Sequence, residues 1–353
     1  MIFTAAKYRL VKLYALVFTA IIFLGALGIF FFPIIMLYRS NFFYLLFSTG
    51  ACVVLALLVY LFLTRKYRRR KKIIKTPFPQ EWERILNSDV AFYGGLTGED
   101  RTRFKQEVQI FLAEKRITGI ETDVDDKCRL LVAASAIIPI FSFPDWEYVE
   151  LGEILIYPYN FDENYDFGSL SSGILGLVTR GGSTMILSKP ALFHDFSSSS
   201  ANTNVGFHEF AHKIDGEDGF IDGVPPMITD RKQLKQWLEI IEVESDRIRR
   251  GESEIDPYAL SNRAEFFAVT SEYFFENPHS LEQKHPALFQ FFQKIYNRDT
   301  VSKVGLVVKF MFKPYGKKIH PHSACPCGSG KRYKDCCLGK EGGSSGDIPT
   351  AAM

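Results

Sequence analysis

Residues 208 to 212 read His-Glu-Phe-Ala-His, and that order of residue types suits one kind of chemistry. Positions four apart on a helix lie one turn apart on the same face. His208 and His212 can therefore bring two imidazole nitrogens to a single zinc ion, at about 2.0–2.1 Å. Glu209 then projects beside the ion toward its water, whose pKa zinc lowers to about 7, and a carboxylate there can take up the proton. The same Glu209 can hand the proton to a leaving amine, so hydrolysis of an amide is the expected reaction. The motif uses two of only seven histidines in the chain.

Two imidazoles leave a catalytic zinc one protein ligand short. Asp218 lies ten residues after His208, where metzincin-type sites carry a third ligand. That geometry needs glycine seven positions after the first histidine; Asp215 stands there, with Gly216 one later, so the frame is wrong. Better candidates lie between Asn262 and Phe275, where Glu265 and Glu272 are seven apart among Phe266, Phe267, Phe274 and Phe275. That spacing is two turns along one helix face, and a carboxylate on so apolar a helix must be paired or metal-bound to avoid a large desolvation cost. The pattern fits a gluzincin, in which a glutamate from a later helix completes the site. Spacing leaves open which of the two binds the metal; the other can orient a histidine from behind.

A second cluster lies near the carboxyl end. Cys325-Pro-Cys327 and Cys336-Cys337 place four thiols within thirteen residues. Four thiolates close a tetrahedral structural zinc site with no vacancy for water, and so small a unit must draw its folding energy from the metal. Gly328-Ser-Gly330 permits a tight turn, and Lys331, Arg332 and Lys334 offset the thiolate charge. The spacing and the run Gly-Ser-Gly-Lys-Arg-Tyr-Lys resemble the SEC-C motif, which implies a small docking module for a protein partner such as a chaperone, a substrate or a ribosome-linked protein. A nucleic-acid role is the alternative at this basic patch. For the whole chain the signal is weak, because 42 Lys+Arg against 40 Asp+Glu leave a net charge of only +2. Cys128, alone in an apolar stretch, reads as core packing, and His194, His279 and His285 read as surface or capping residues.

The elements that must position these groups begin with a membrane segment. Average values of 47% hydrophobic and 23% charged residues hide two stretches without charge, Leu13–Leu37 and Ser40–Leu63. Each exceeds the roughly 20 apolar residues that cross a hydrocarbon core. Tyr38 and Arg39 alone separate them, so a transmembrane helical hairpin is expected within residues 1–75. Lys7, Arg9 and Lys12 precede the first stretch and a basic run from Arg65 to Lys75 follows the second. Positive charge stays inside, which puts both termini and the catalytic region in the cytoplasm, on the inner membrane of a bacterial-type cell. The basic run is expected to lie on anionic headgroups.

Thr76-Pro77-Phe78-Pro79 breaks the helix and opens a soluble region, 76–315. Helices are expected over Gly98–Arg116, Lys127–Ile138, Arg231–Arg250, Ala259–Phe275 and His285–Tyr296, and strands over Gly152–Tyr157 and Ser183–Ser188. Asn202, Thr203 or Asn204 can cap the helix that carries the two histidines. Strands before helices point to an α+β domain. The cysteine unit then occupies 316–339, and a polar tail, 340–353, reads as disordered.

With these pieces in place a family resemblance becomes usable. The run Asn204-Val-Gly-Phe-His-Glu-Phe-Ala-His-Lys-Ile-Asp215 is followed by Asp256-Pro-Tyr258 and by Arg263-Ala-Glu265-Phe-Phe-Ala-Val-Thr-Ser-Glu-Tyr-Phe-Phe275. Together they resemble the Mlc titration factor A family of zinc peptidases. The likeness extends to Gly152–Pro158 and Gly223-Val-Pro225, and so covers most of Phe78 to about Asn297. The resemblance implies a zincin-like metallopeptidase fold with His208, His212 and Glu265 as ligands, Glu209 as general base and Glu272 supporting a ligand. It also implies that Tyr258 faces the zinc and donates a hydrogen bond to the developing oxyanion. The implied cofactors are two Zn2+ ions, one catalytic and one in the SEC-C unit. The implied activity is peptide hydrolysis, leaning toward short peptides or amino-terminal residues. The same family binds a glucose-responsive transcriptional repressor, so the alternative is a regulatory binding protein that holds such a partner at the membrane.

Overall fold

Four strands form a single mixed sheet among the described residues, in the order β1-β2-β4-β3. The computed structural model describes residues 12–25, 28, 42–143, 146–162, 164–166, 173–179, 183–197, 203–296 and 332. Strand β1 is Arg116–Gly119, β2 Glu153–Tyr157, β3 Gly176–Val178 and β4 Thr184–Ser188. The first three in sheet order run parallel, with Ile154 opposite Ile117 on one side and Met185 on the other. Strand β3 closes the sheet antiparallel to β4, Leu177 opposite Ile186. Burial follows the pleat in β2, where Ile154 and Ile156 are enclosed, while β4 is buried on both faces from Met185 to Ser188. Parallel strands need helical crossovers, and the chain supplies one between β1 and β2.

The chain divides into two units, residues 2–77 and the residues from Phe78 onward. In the first, helix α1 is Lys12–Gly25, apolar but short, and α2 is Phe42–Ile73. Thr49–Ile73 is long and apolar enough to cross a membrane by length and composition, alone in this among the described residues. At 1.5 Å per residue a 32-residue helix extends about 48 Å, and the basic run from Arg65 to Lys72 continues it without a break. The expected turn at Tyr38 and Arg39, and most of the first stretch beyond Gly25, lie outside the described residues.

In the second unit, helices α3 (Gln80–Asp89), α4 (Ala91–Gly95) and α5 (Gly98–Glu114) precede the sheet, and α6 (Asp126–Ile137) lies between β1 and β2. After β4 come α7 (Lys189–Ser197), α8 (Val205–Asp215), α9 (Arg231–Arg249), α10 (Arg263–Glu276), α11 (Pro278–Lys284) and α12 (Pro286–Tyr296). Trp237 of α9 anchors the core here, stacked on Phe291 at 4.9 Å and edge-on to Phe266 and Phe267 of α10. Helix α8 is buried from end to end, packed between the sheet, α6 and α10. It approaches α6 closely: a Cβ at Gly206 would fall 2.1 Å from the Ser135 hydroxyl. Substituting Gly206 by Ala is therefore expected to lower the thermal midpoint, since overpacking of about 1–3 kcal/mol exceeds the helix-propensity gain of about 1 kcal/mol. Adding Ser135→Gly should recover most of the loss; a single variant as stable as the parent would contradict the close approach.

Candidate metal centre

Each residue of the cluster is positioned by a local device. Asn204 caps α8: its Oδ1 accepts from Phe207 N at 3.0 Å. The capped start is tied outward as well, because Asn204 N donates to Glu272 Oε2 at 2.7 Å and Asn204 Nδ2 to Glu276 Oε1 at 2.7 Å. Val205 N donates to Asp195 Oδ2 at 2.7 Å, which brings α7 into the same frame. Asn262 caps α10 by accepting from Glu265 N at 3.0 Å. Asp256 accepts from Tyr258 N at 2.8 Å and starts the short turn Pro257–Leu260, which holds the Tyr258 ring 6.2 Å from that of His208. These caps satisfy helix-end donors that would otherwise be orphaned in a buried setting.

The result is a tight triangle of ligand atoms. His208 Nε2 lies 3.0 Å from His212 Nε2 and 3.0 Å from Glu265 Oε2, and His212 Nε2 lies 3.3 Å from the same oxygen. All three residues are buried. A tetrahedral ion with bonds of about 2.0–2.1 Å has ligand edges of about 3.3–3.4 Å, so the three donors sit close to where one zinc would hold them. The other face of His208 is held too, its Nδ1 2.6 Å from Glu272 Oε1. Metal-binding imidazoles usually carry such a carboxylate behind them, which fixes ring and tautomer. Donor types, separations and backing carboxylate all fit a zinc ion.

Electrostatics agree with the geometry. Burial alone would lower the His208 pKa, but the carboxylates of Glu272 and Glu265 outweigh it and hold the imidazole well above its ordinary value. His212 is lowered, by burial first and by the neighbouring His208 charge. Burial would raise Glu265, yet its hydrogen bonds from the two imidazoles hold it well below the usual carboxylate range. Glu209 has no such donors: burial, with Glu265 and Glu272 nearby, pushes it up to about 8. Burial also raises Tyr258, helped by Glu265 and Glu209.

Sequence spacing had left the choice between Glu265 and Glu272 open, and the structure separates them. Glu265 faces both histidine Nε2 atoms, whereas Glu272 stands behind His208. Asp218 lies in a short turn after α8 and is absent from the cluster. Cys128 is fully buried, and burial pushes its thiol up to about 12, as expected of core packing. His285 caps α11, as one of its two expected roles, but it is buried and not at the surface, its Nδ1 2.6 Å from Glu244 Oε2. Four thiol positions, Cys325, Cys327, Cys336 and Cys337, lie outside the described residues. Spacing gave no hint of Asp195, Glu276 or Gly176. A Cβ on Gly176 of β3 would lie 2.6 Å from Glu209 Oε1, so only glycine lets the strand pass this carboxylate.

Comparison with known proteins decides the family. Residues 64–297 match the family described as glucose-regulated metallo-peptidase M90. The chain belongs to that family. Its M90 region is followed by a SEC-C motif, matched over residues 323–339. The uncharacterized protein slr2042 of Synechocystis sp. is 30% identical over 241 residues, 65% of this chain and 87% of that protein. Mlc titration factor A of Pectobacterium atrosepticum is 27% identical over 240 residues, 64% of this chain and 88% of the relative. The Escherichia coli protein of the same name is 28% identical over 248 residues, 63% and 88% respectively. The M90 match leaves residues 1–63 outside it.

The carboxylates around Asn204 have a measurable consequence. Glu276 is pushed up to about 7, by burial first and by Asp195 and Glu272 next. The folded state thus keeps a proton that the unfolded chain, with its ordinary value of 4.5, releases earlier. Below pH 4.5 both states are protonated; between 4.5 and about 7 folding loses stability progressively, and the loss is complete above. Glu276→Gln mimics the protonated form. It is expected to match the parent in acid and to exceed it in thermal midpoint at pH 8; a constant offset at all pH values would contradict the assignment.

Proposed function

We propose that this chain is a membrane-anchored zinc peptidase that hydrolyses peptide bonds, with His208, His212 and Glu265 as metal ligands and Glu209 as general base. The triangle of ligand atoms carries the reading. A zinc ion there would polarise the substrate carbonyl and acidify the attacking water. Glu209 follows a ligand directly on α8, which places its carboxylate where it can take a proton from the water and return it to the leaving amine. Glu272 keeps His208 in one tautomer. The Tyr258 phenol, kept protonated by its raised pKa, donates to the oxyanion as it forms. Beside this centre β3 has no partner on its outer edge among the described residues, and an extended peptide can add there as a further strand.

The architecture we propose for the chain is zincin-like over residues 76–315. A membrane hairpin (13–37 and 40–63) within 1–75 stands ahead of it and a structural zinc in the SEC-C unit, 316–339, follows. Helix α2 supports the anchor through its apolar length and basic end. The basic end also supports a cytoplasmic position for the catalytic region on the inner membrane. The second reading is regulatory. Relatives named Mlc titration factor A favour a chain that sequesters a repressor, or a chaperone-type partner through the SEC-C motif, with hydrolysis secondary.

Purified protein assayed against a peptide library separates the readings. Glu209→Gln is expected to retain zinc and lose turnover by about 10²–10⁴-fold, and chelation should abolish turnover in the parent. Tyr258→Phe should cut kcat by about 10²-fold with zinc content unchanged. Gly176→Ala, which crowds Glu209, should do likewise at least in part. Repressor capture that survives chelation, with no cleavage in any arm, would overturn the peptidase reading in favour of the regulatory one.

A further inference from the structure

A pocket of about 120 Å³ opens beside the metal cluster, and His208 and Tyr258 belong to its lining. Through these two residues it adjoins the proposed centre, while His212, Glu265 and Glu209 lie outside its lining. Its apolar walls are Leu175, Val205 and Val269, with the Tyr258 ring. Val205 and Val269 are buried and stand on α8 and α10, the helices that carry the cluster, so these walls are as rigid as the site. An apolar cavity of about 150 Å³ holds a molecule the size of benzene. The present one accommodates a branched aliphatic side chain and excludes an indole.

Three carboxylates also border the space, Asp195, Asp256 and Glu272. Their oxygens are committed to the scaffold: Asp195 to Val205 N, Asp256 to Tyr258 N, and Glu272 to Asn204 N and His208 Nδ1. They are thus spent on positioning and are poor receptors for a substrate ammonium. A substrate carboxylate would meet three acidic groups and no basic one in this lining, apart from the His208 imidazole, and is disfavoured there.

We infer that this pocket is the specificity subsite for one of the two residues flanking the scissile bond, and that it selects an uncharged aliphatic side chain of about leucine size and rejects acidic ones. Val269 is the specificity-determining residue, one turn along α10 from Glu265. The inference rests on the zinc-peptidase reading, and the test is arranged so that the two can fail separately.

The probes are two hydroxamate series measured by calorimetry on the zinc-loaded full-length chain in detergent. Amino-acid hydroxamates carry the side chain on the acyl side of the metal-binding group, and succinyl hydroxamates carry it on the amine side. Each series presents Ala, Leu, Lys and Asp side chains. In one of the two, Leu is expected to bind at least tenfold more tightly than Ala, with Asp weakest. Val269→Phe should reverse the Leu-to-Ala ratio in that series alone. Leu175→Phe, from the segment just before β3 and outside the helices, should reverse it as well, which guards against a folding defect in either variant. A flat ranking in both series, or Lys first, would overturn the subsite while leaving the zinc site standing. Failure of every probe to bind in a chelator-sensitive way would overturn the zinc reading and the subsite with it.

Discussion

Everything around the cluster depends on how His208 is gripped. Carboxylates from a single helix, Glu265 and Glu272, hold its two ring nitrogens at 3.0 and 2.6 Å. They are two helical turns apart, so α10 must lie alongside α8 at one height and one rotation for both contacts to form. The pair of helices and the orientation of the imidazole are therefore a single constraint. Breaking either contact would leave a charge stranded in a dry interior, which typically costs about 3–5 kcal/mol. A divalent cation at the triangle would offset the negative charge gathered there, that of Glu265 above all.

The remainder of the fold serves that constraint. The aromatic core around Trp237 fixes α9, α10 and α12 against one another. The sheet brings β3 up to α8, and glycine at 176 sets how near the strand passes Glu209. The start of α8 is bound to α7 and α10 through Asp195, Glu272 and Glu276. This polar collar does two tasks at once. It satisfies the helix end, and it gathers carboxylates beside the candidate metal centre, where burial first and then Asp195 and Glu272 push Glu276 above its ordinary range.

Much of this was legible from local pattern. The paired histidines, the glutamate between them and the two-turn spacing of Glu265 and Glu272 are helix-period signals, and helix period is read directly from sequence. The long helices α5, α6, α9 and α12 were visible for the same reason, within one or two residues at their ends. Strands β1 and β3 were not: at four and three residues they are too short to show alternation, and they exist because β2 and β4 pair with them. Helix α7 was not expected: it begins at Lys189-Pro190, directly after the expected strand Ser183–Ser188, and proline is at home in the first turn of a helix. The alternation of β1, α6 and β2 likewise departs from strands followed by helices. Asp195 and Glu276 were invisible because their role arises from contacts ten and seventy-two residues away. His285, read as a surface or capping residue, does cap α11, but its ring is buried against Glu244 forty-one residues earlier.

The most direct test is X-ray absorption at the zinc edge on the full-length chain with Cys325, Cys327, Cys336 and Cys337 replaced by serine. With the tail thiols removed, one zinc per chain should remain, surrounded only by nitrogen and oxygen at about 2.0–2.1 Å, two of the neighbours showing imidazole scattering. Loss of all bound zinc in that variant, or a shell without imidazole, would contradict a metal held by His208, His212 and Glu265.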